Sequence, residues 1–285
     1  KKVIVTGSSR GIGLEIALAF GRAGFQVFAT MRTPTSATEL AAKIKAESLP
    51  ISLHQLDVNS DDSVKSCFGD LLKNGPVDIL VNNAGIGLNG SIEEMPISDF
   101  KAVMETNFFG AVRCIQEVLP AMRERKSGCI INVTSISGRL TSSPLGCYSA
   151  SKFALEAVSE ALAQEVKPFN IRVGIVEPGI IDTGMAHEIE EESPSIYPSS
   201  KRMADLFFAS LKNPTPPTLV ADAVVEFAAG DSWILRHPVG PDALPFIQWR
   251  NSMTDEQWID RNSLTDEEWY DAAEREFGLN ARRNG

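Results

Sequence analysis

No apolar run in the 285 residues reaches the roughly 20 needed for a helix to cross a bilayer, and the chain opens on a strand-like segment instead of a signal-peptide pattern. Histidine is scarce. His54, His187 and His237 stand singly, without the spacing of a local metal site, and no metal is expected. The four cysteines, Cys67, Cys114, Cys129 and Cys147, lie far apart, with neither a zinc-type pair nor disulfide density, which fits a reduced, cytoplasmic setting. Basic residues are outnumbered, 27 against 37 acidic, giving a net charge of -10. Phosphate backbones and anionic membranes call for clustered Lys and Arg, so neither nucleic acid nor a membrane is expected as a partner. What remains is ordinary globular composition: 43% apolar and 22% charged, enough for a sizeable core.

Lys2 to Thr6 is a short β-branched run, followed by a glycine-rich turn and the periodic stretch Gly13 to Ala23, which reads as strand, turn and helix. Strand-like runs recur at Gln26–Thr30, Ile51–Leu56, Ile79–Asn82, Cys129–Thr134 and Ile171–Glu177, with helical patterns between most of them. Strands alternating with helices imply right-handed βαβ units and a sheet covered on both faces. The expected fold is α/β: a Rossmann-like doubly wound parallel sheet, a single domain with a helical C-terminal appendage. Residues 1–242 are read as the catalytic and cofactor-binding part and 243–285 as the appendage. Between 184 and 217 the composition turns to Glu, Ser and Pro, which predicts a substrate loop or lid. Within the appendage, residues 252–258 recur eleven positions later as 263–269. Thr254 and Thr265 are predicted N-caps, with Gln257 and Glu268 closing capping boxes and Trp258 and Trp269 serving as structural staples. The tail from Asn251 holds nine acidic and four basic residues and reads as a solvated face.

Four patterns carry chemistry. Thr6-Gly7-Ser8-Ser9-Arg10-Gly11-Ile12-Gly13 lies where a strand gives way to a helix, so its glycines permit a tight turn and close approach to a pyrophosphate at the helix N-terminus. Asn82-Asn83-Ala84-Gly85 follows the apolar run Ile79–Val81, at the strand end where ligands of open α/β sheets bind. In Tyr148-Ser149-Ala150-Ser151-Lys152, the i, i+4 spacing sets phenol and ammonium on one helix face. Ser135 stands thirteen residues before Tyr148, directly after a strand.

With these motifs in this order, and with Asn107 and Pro178-Gly179 in place, residues Lys2 to about Met185 resemble the short-chain dehydrogenase/reductase family, of its compact kind. The resemblance implies an oxidoreductase acting on CH-OH groups, with Asn107, Ser135, Tyr148 and Lys152 as the catalytic set. Tyr148 would be the general acid of reduction, Ser135 would orient the substrate oxygen, Lys152 would bond the nicotinamide ribose, and Asn107 would hold a water in the proton relay. A free phenol has a pKa of about 10, so a neighbouring cation that favours phenolate is needed, and Lys152 supplies one. Cofactor contacts carried over are Gly7, Ser9, Arg10, Gly11, Ile12 and Gly13 in the turn; Asp57 and Val58 at the adenine; Asn83, Ala84 and Gly85 on the adenosine side; and Pro178, Gly179, Ile181 and Thr183 at the nicotinamide.

The cofactor can be read from charge. NAD enzymes of this fold place Asp or Glu about 20 residues past the glycine motif to bond the ribose 2′-OH. Here Met31 occupies that region, no carboxylate lies between Glu15 and Glu39, and Arg32 and Arg10 offer guanidinium groups suited to a 2′-phosphate. NADP(H) is expected, with NADPH preferred over NADH. The substrate wall is expected at Gly87, Leu88, Ile136, Ser137, Leu145, Cys147, Gly179 and Met185 to Phe208, mostly apolar or small, beside Tyr148. An apolar ketone or secondary alcohol fits. Thr30-Met31-Arg32 and the long tail are similar to family members acting on steroids and retinoids, without naming a substrate. Two alternatives are reduction of a 3-oxoacyl group on an acyl carrier protein, which the net negative charge disfavours, and a non-catalytic NADP(H)-sensing protein. The resemblance also implies a homodimer or homotetramer built on Phe108–Met122 and Ser149–Val166.

Overall fold

In the computed structural model, which describes residues 1–73, 75–191 and 194–283, seven strands form one parallel sheet. They are β1 (Lys2–Thr6), β2 (Gln26–Met31), β3 (Ile51–Gln55), β4 (Ile79–Asn82), β5 (Gly128–Val133), β6 (Ile171–Pro178) and β7 (Arg236–Val239). Their spatial order is β3-β2-β1-β4-β5-β6-β7, so the winding reverses between β1 and β4. In open sheets of this kind the crevice beyond the strand C-termini at that reversal is where ligands bind.

The central strands are apolar on both faces because both faces are covered. Along β1, Val3 and Val5 point to one layer and Ile4 to the other. The first layer holds α1 (Gly11–Arg22) and α9 (Thr218–Ala229), which bury Ile16, Phe20, Val224 and Phe227. Beside them α2 (Thr38–Glu47) buries Leu40. The second layer holds α3 (Asp61–Leu72), α5 (Gly110–Arg125) and α6 (Gly146–Val166), burying Phe68, Val118, Met122 and Leu162. Phe20 and Phe68 are fully buried, each worth about 1.5–3 kcal/mol in transfer free energy.

β7 escaped the sequence reading for a physical reason. Arg-His-Pro-Val has no apolar run, and it serves as an edge strand, where proline is tolerated because its missing N–H faces away from the ladder.

The expected loop over 184–217 is largely helical, with α7 (Gly184–Glu190) and α8 (Ser199–Ser210); positions 192 and 193 of that segment lie outside the described residues. Its Ser, Glu and Pro content hid the stripe Arg202, Met203, Leu206 and Ala209, which is buried. That stripe meets the appendage: α10 (Ala243–Asn251), α11 (Asp255–Asn262) and α12 (Asp266–Phe277), whose Trp269, Tyr270 and Ala273 join Met203, Leu206 and Leu145 in one cluster. The tail is therefore not merely a solvated face, although Asp255, Glu256, Asp260 and Glu267 are exposed.

Both capping boxes form as the repeat predicts. Thr254 Oγ1 accepts from Gln257 N at 3.3 Å while Thr254 N donates to Gln257 Oε1 at 2.9 Å, and Thr265 with Glu268 does the same at 3.4 and 3.0 Å. Polar bonds tie the appendage down. Trp258 Nε1 donates to the Thr141 carbonyl at 3.1 Å, and Arg202 donates to Asp266 Oδ1 at 2.8 Å and to the Leu264 carbonyl at 2.7 Å. The fully buried Asp205 accepts from Tyr270 and pairs with Lys201 and Arg283. Among the described residues, no helix is long and apolar enough to cross a membrane.

Candidate active site

At the reversal point the ends of β1 and β4 are bound together by Thr6. Its hydroxyl accepts the N–H groups of Asn83 and Ala84, each at 3.0 Å. The following turn needs glycine: Gly7 and Gly11 have φ of +69° and +58°, in the left-handed region that side chains disfavour. Gly13 is required by proximity. A Cβ there would lie 2.3 Å from both Asn83 Nδ2 and the Gly7 carbonyl oxygen. Asn83 itself donates to the carbonyls of Thr6 and Gly7 at 3.0 and 3.2 Å, so its amide braces the turn. The N-cap of α1, Arg10, makes no side-chain capping bond. The first-turn N–H groups of α1 are thereby left for a ligand, at the positive end of the helix dipole.

α4 (Ile97–Met104) leads into a π-helical turn, Glu105–Phe109, before α5 begins. Such wide turns re-aim single side chains. Here Asn107 is turned inward: its Nδ2 donates to the Ile86 carbonyl and to Ser151 Oγ, both at 2.9 Å, and its Oδ1 accepts from Ile86 N at 2.8 Å. Asn107 is buried and outside the cavity wall, so its side chain fastens α6 to the segment after β4.

Ser135 caps the 3-10 turn Ile136–Gly138, its hydroxyl accepting from Ser137 N at 3.0 Å. Tyr148 and Lys152 project from α6 as the i, i+4 spacing requires, with Lys152 Nζ 5.6 Å from the phenol ring centre. Lys152 Nζ donates to the Val133 carbonyl at 3.0 Å. Burial pushes the Tyr148 phenol up to about 12, against a smaller downward pull from the Ser135 hydroxyl. The expected neighbouring cation is in place at the ring. Burial penalises phenolate directly, and the Ser135 hydroxyl opposes it. The same burial pushes the Lys152 ammonium down to about 8, while Glu156 acts in the opposite direction.

One cavity of about 630 Å³ joins these groups. Gly7, Ser9, Arg10, Gly11, Ile12 and Gly13 line it, as do Arg32, Asp57, Val58, Asn83, Ala84 and Gly85. Ser135, Ile136, Leu145, Tyr148, Lys152, Pro178, Gly179, Ile181, Thr183 and Met185 complete the predicted set on its wall. Met31 lines it too, buried, and Arg32 is exposed. Arg10 Nη2 lies 4.0 Å from Glu188 Oε1, with both side chains largely in solvent. Cys147 is not on the wall. It packs with Met95 and Val103, because its place on α6 turns it away from the cavity.

The expected wall between Met185 and Phe208 is supplied by α7 and α8, and the residues the sequence reading missed come from the appendage. Phe246, Trp249, Arg261, Trp269 and Phe277 line the same cavity beside Arg202 of α8, and Arg261 lies between the Trp249 and Trp269 rings at 5.8 and 5.9 Å. The staple pattern revealed Trp269, but nothing in periodicity says which partner a helix face will meet.

The sequence profile described as short chain dehydrogenase matches residues 1–194. The chain belongs to the short-chain dehydrogenase family. This short-chain dehydrogenase is 38% identical over 219 residues to retinol dehydrogenase 8 of Bos taurus, covering 75% of this chain and 70% of that one. A crystal structure of a short-chain dehydrogenase from Streptomyces avermitilis superposes with a TM-score of 0.78 at 32% identity, covering 93% of this chain and 99% of the other. A metagenomic short-chain oxidoreductase solved in complex with NADP superposes with a TM-score of 0.67 at 27% identity, over 83% and 95% of the two chains.

The fold of this family binds nicotinamide cofactors, and the residues here fit one. The open glycine turn, the uncapped start of α1 and the wall at Ala84, Gly85 and Pro178–Ile181 form a cradle in which added side chains at Gly7 and Gly13 would collide with the main chain.

Proposed function

We propose that this short-chain dehydrogenase is an NADP(H)-dependent carbonyl reductase or alcohol dehydrogenase acting on an apolar ketone or secondary alcohol. One observation carries the reading. In a chain of net charge -10, the cavity wall bears, among the described residues, Arg10, Arg32, Lys152, Arg202 and Arg261 with one carboxylate, Asp57. Of these cations, Arg202 and Arg261 are committed to Asp266 and Glu276, while Arg10, Arg32 and Lys152 stand at the glycine-turn end, Arg10 with only a long, solvent-exposed contact to Glu188. A concentration of positive charge opposite the overall sign suits a phosphate-rich ligand. Arg10 and Arg32, with Met31 where an acidic residue would otherwise select NAD, favour a 2′-phosphate.

NADPH, when bound, supplies the hydride. Tyr148 then donates its proton to the carbonyl oxygen, which becomes the alcohol. A phenol pushed up to about 12 carries its proton at neutral pH but is a weak acid, so giving that proton depends on the charge of Lys152 beside the phenolate. Ser135, at the end of β5, orients the same oxygen. Lys152 carries the positive charge that stabilises the phenolate left behind, and Asn107 keeps α6 aligned with the strand ends. The far wall, from Leu145, Met203 and Leu206 to Phe246, Trp249 and Trp269, favours an extended apolar body. The similarity to retinol dehydrogenase 8 supports an apolar alcohol or carbonyl as the class. Residues 1–242 form the catalytic part in this reading, and 243–285 complete the substrate end.

The four cysteines are free and buried, consistent with a reduced, cytoplasmic location. Exposed Phe109 and Phe153 beside and on the helices α5 and α6 support a homodimer or homotetramer, which size-exclusion chromatography would show as a species larger than monomer. The functional test is oxidation of NADPH and NADH by the purified protein over a panel of aldehydes, aryl and cyclic ketones, steroids and retinal. NADPH turnover with apolar carbonyls is expected. Equal rates with NADH would refute the cofactor assignment, and turnover confined to small polar carbonyls would refute the substrate class.

A further inference from the structure

We propose that Glu156 is a positioning residue for Lys152: its buried carboxylate, held by Thr134 and Arg236 one helical turn beyond the lysine, keeps the ammonium charged beside Tyr148. This rests on the assignment of Tyr148 and Lys152 above. Tyr148, Lys152 and Glu156 follow at i, i+4 and i+8 on one face of α6, and Lys152 and Glu156 are 5% and 4% exposed. Successive residues at the end of β5 hold them. The Val133 carbonyl accepts from Lys152 Nζ at 3.0 Å, Thr134 Oγ1 donates to Glu156 Oε1 at 2.7 Å, and Ser135 follows.

Behind this pair lies a cluster of four charges. Arg236 on β7 donates through Nε to Glu156 Oε2 at 2.9 Å. It also reaches Glu160 Oε2 at 2.6 Å, and its Nε lies 3.7 Å from Glu177 Oε1. Glu177, fully buried on β6 next to Pro178, is paired with Arg139 at 2.9 Å. The groups facing Glu156 and Lys152 are thus Tyr148 and Glu160 on α6 itself, Arg139 after β5, Glu177 on β6 and Arg236 on β7.

Buried ion pairs are poor stabilisers, since desolvation offsets most of their attraction and an apolar core does as well. A buried carboxylate one helical turn from the one buried lysine among the described residues has a different use. Burial drives Lys152 towards its neutral form and also raises the Glu156 carboxyl, which the Thr134 bond and Arg236 pull back towards the charged form that opposes the Lys152 shift. Without Glu156, Lys152 would lose its proton at lower pH, and the support for phenolate would go with it.

The test is the pH titration of Lys152, read by NMR on 13C-labelled lysine and assigned with Lys152→Gln, alongside the alkaline limb of kcat/KM. In Glu156→Gln, which preserves shape and can still accept from Thr134, both are expected to move to lower pH by about one unit. Glu160→Gln, which removes an exposed partner of the same arginine, leaves both in place. Thr134→Val keeps the charge but removes a bond that favours it, and gives a smaller move in the same direction. A Lys152 titration unchanged in Glu156→Gln overturns the proposal, whatever happens to turnover. A titration that moves while Tyr148→Phe keeps full turnover refutes the Tyr148 assignment and leaves the coupling of Glu156 to Lys152 standing.

Discussion

The glycine-turn end of the cavity and its far end are built by different means. The first is closed main chain on main chain: Gly7 and Gly13 sit against Ala84 and the Gly7 carbonyl, Asn83 bonds two backbone oxygens, and Thr6 ties β1 to β4. The second is side chain on side chain, with α8 and three appended helices bringing Trp249, Trp269, Phe246 and Phe277 over the pocket and pinning them through Arg202 and Asp205. Main-chain closure leaves little tolerance for substitution. Side-chain closure can be remodelled residue by residue, which makes it the part that can differ in substrate while the cofactor end stays the same.

The contrast can be broken at several points. The largest effect is expected from Gly13→Val, whose side chain would enter the 2.3 Å space beside the Gly7 oxygen and Asn83. Overpacking of at least about 1–3 kcal/mol should lower the melting temperature and abolish NADP binding by calorimetry. Met31→Asp with Arg32→Ala should move the preference between NADPH and NADH by about 10- to 100-fold towards NADH, measured as the ratio of kcat/KM values. An unmoved ratio would show that the two positions do not read the 2′ group. Arg202→Met removes the bonds to Asp266 and Leu264. Because Asp266 is open to water, the cost should be only about 1–2 kcal/mol in denaturant unfolding, with faster proteolysis of the tail and a raised KM for apolar substrates. The smallest change is expected from Trp258→Phe, which loses the bond to Thr141 but stays outside the cavity wall, so stability should drop slightly and KM should hold.

The two ends also differed in how far the sequence revealed them. The glycine turn, Asn82–Gly85, Ser135 and the Tyr148–Lys152 pair are local patterns fixed by strand ends and helix spacing, and the structure brings all of them but Thr6, Ser8 and Asn82 to one wall, with Asn107 just behind it. The six strands with apolar runs were legible to within about two residues. β7 was not, since an edge strand of Arg-His-Pro-Val carries no apolar pattern. In the appendage, the Thr-x-x-Gln and Thr-x-x-Glu boxes announced two helices. Their docking onto α8 depends on contacts more than 50 residues apart, such as Arg202 with Asp266, and no local pattern encodes those. The direction of the Tyr148 shift was hidden for the same reason: spacing shows Lys152 nearby, but only the packed structure shows a half-buried phenol facing the cavity.

The central claim is that Tyr148 gives the proton at a site whose cofactor end does not depend on it. Single-turnover reduction of an apolar ketone by NADPH, in wild type and Tyr148→Phe, tests that directly when combined with calorimetric binding of NADP to both. A loss of about 10²- to 10⁴-fold in rate with binding unchanged is expected. Equal rates in the two proteins would contradict it.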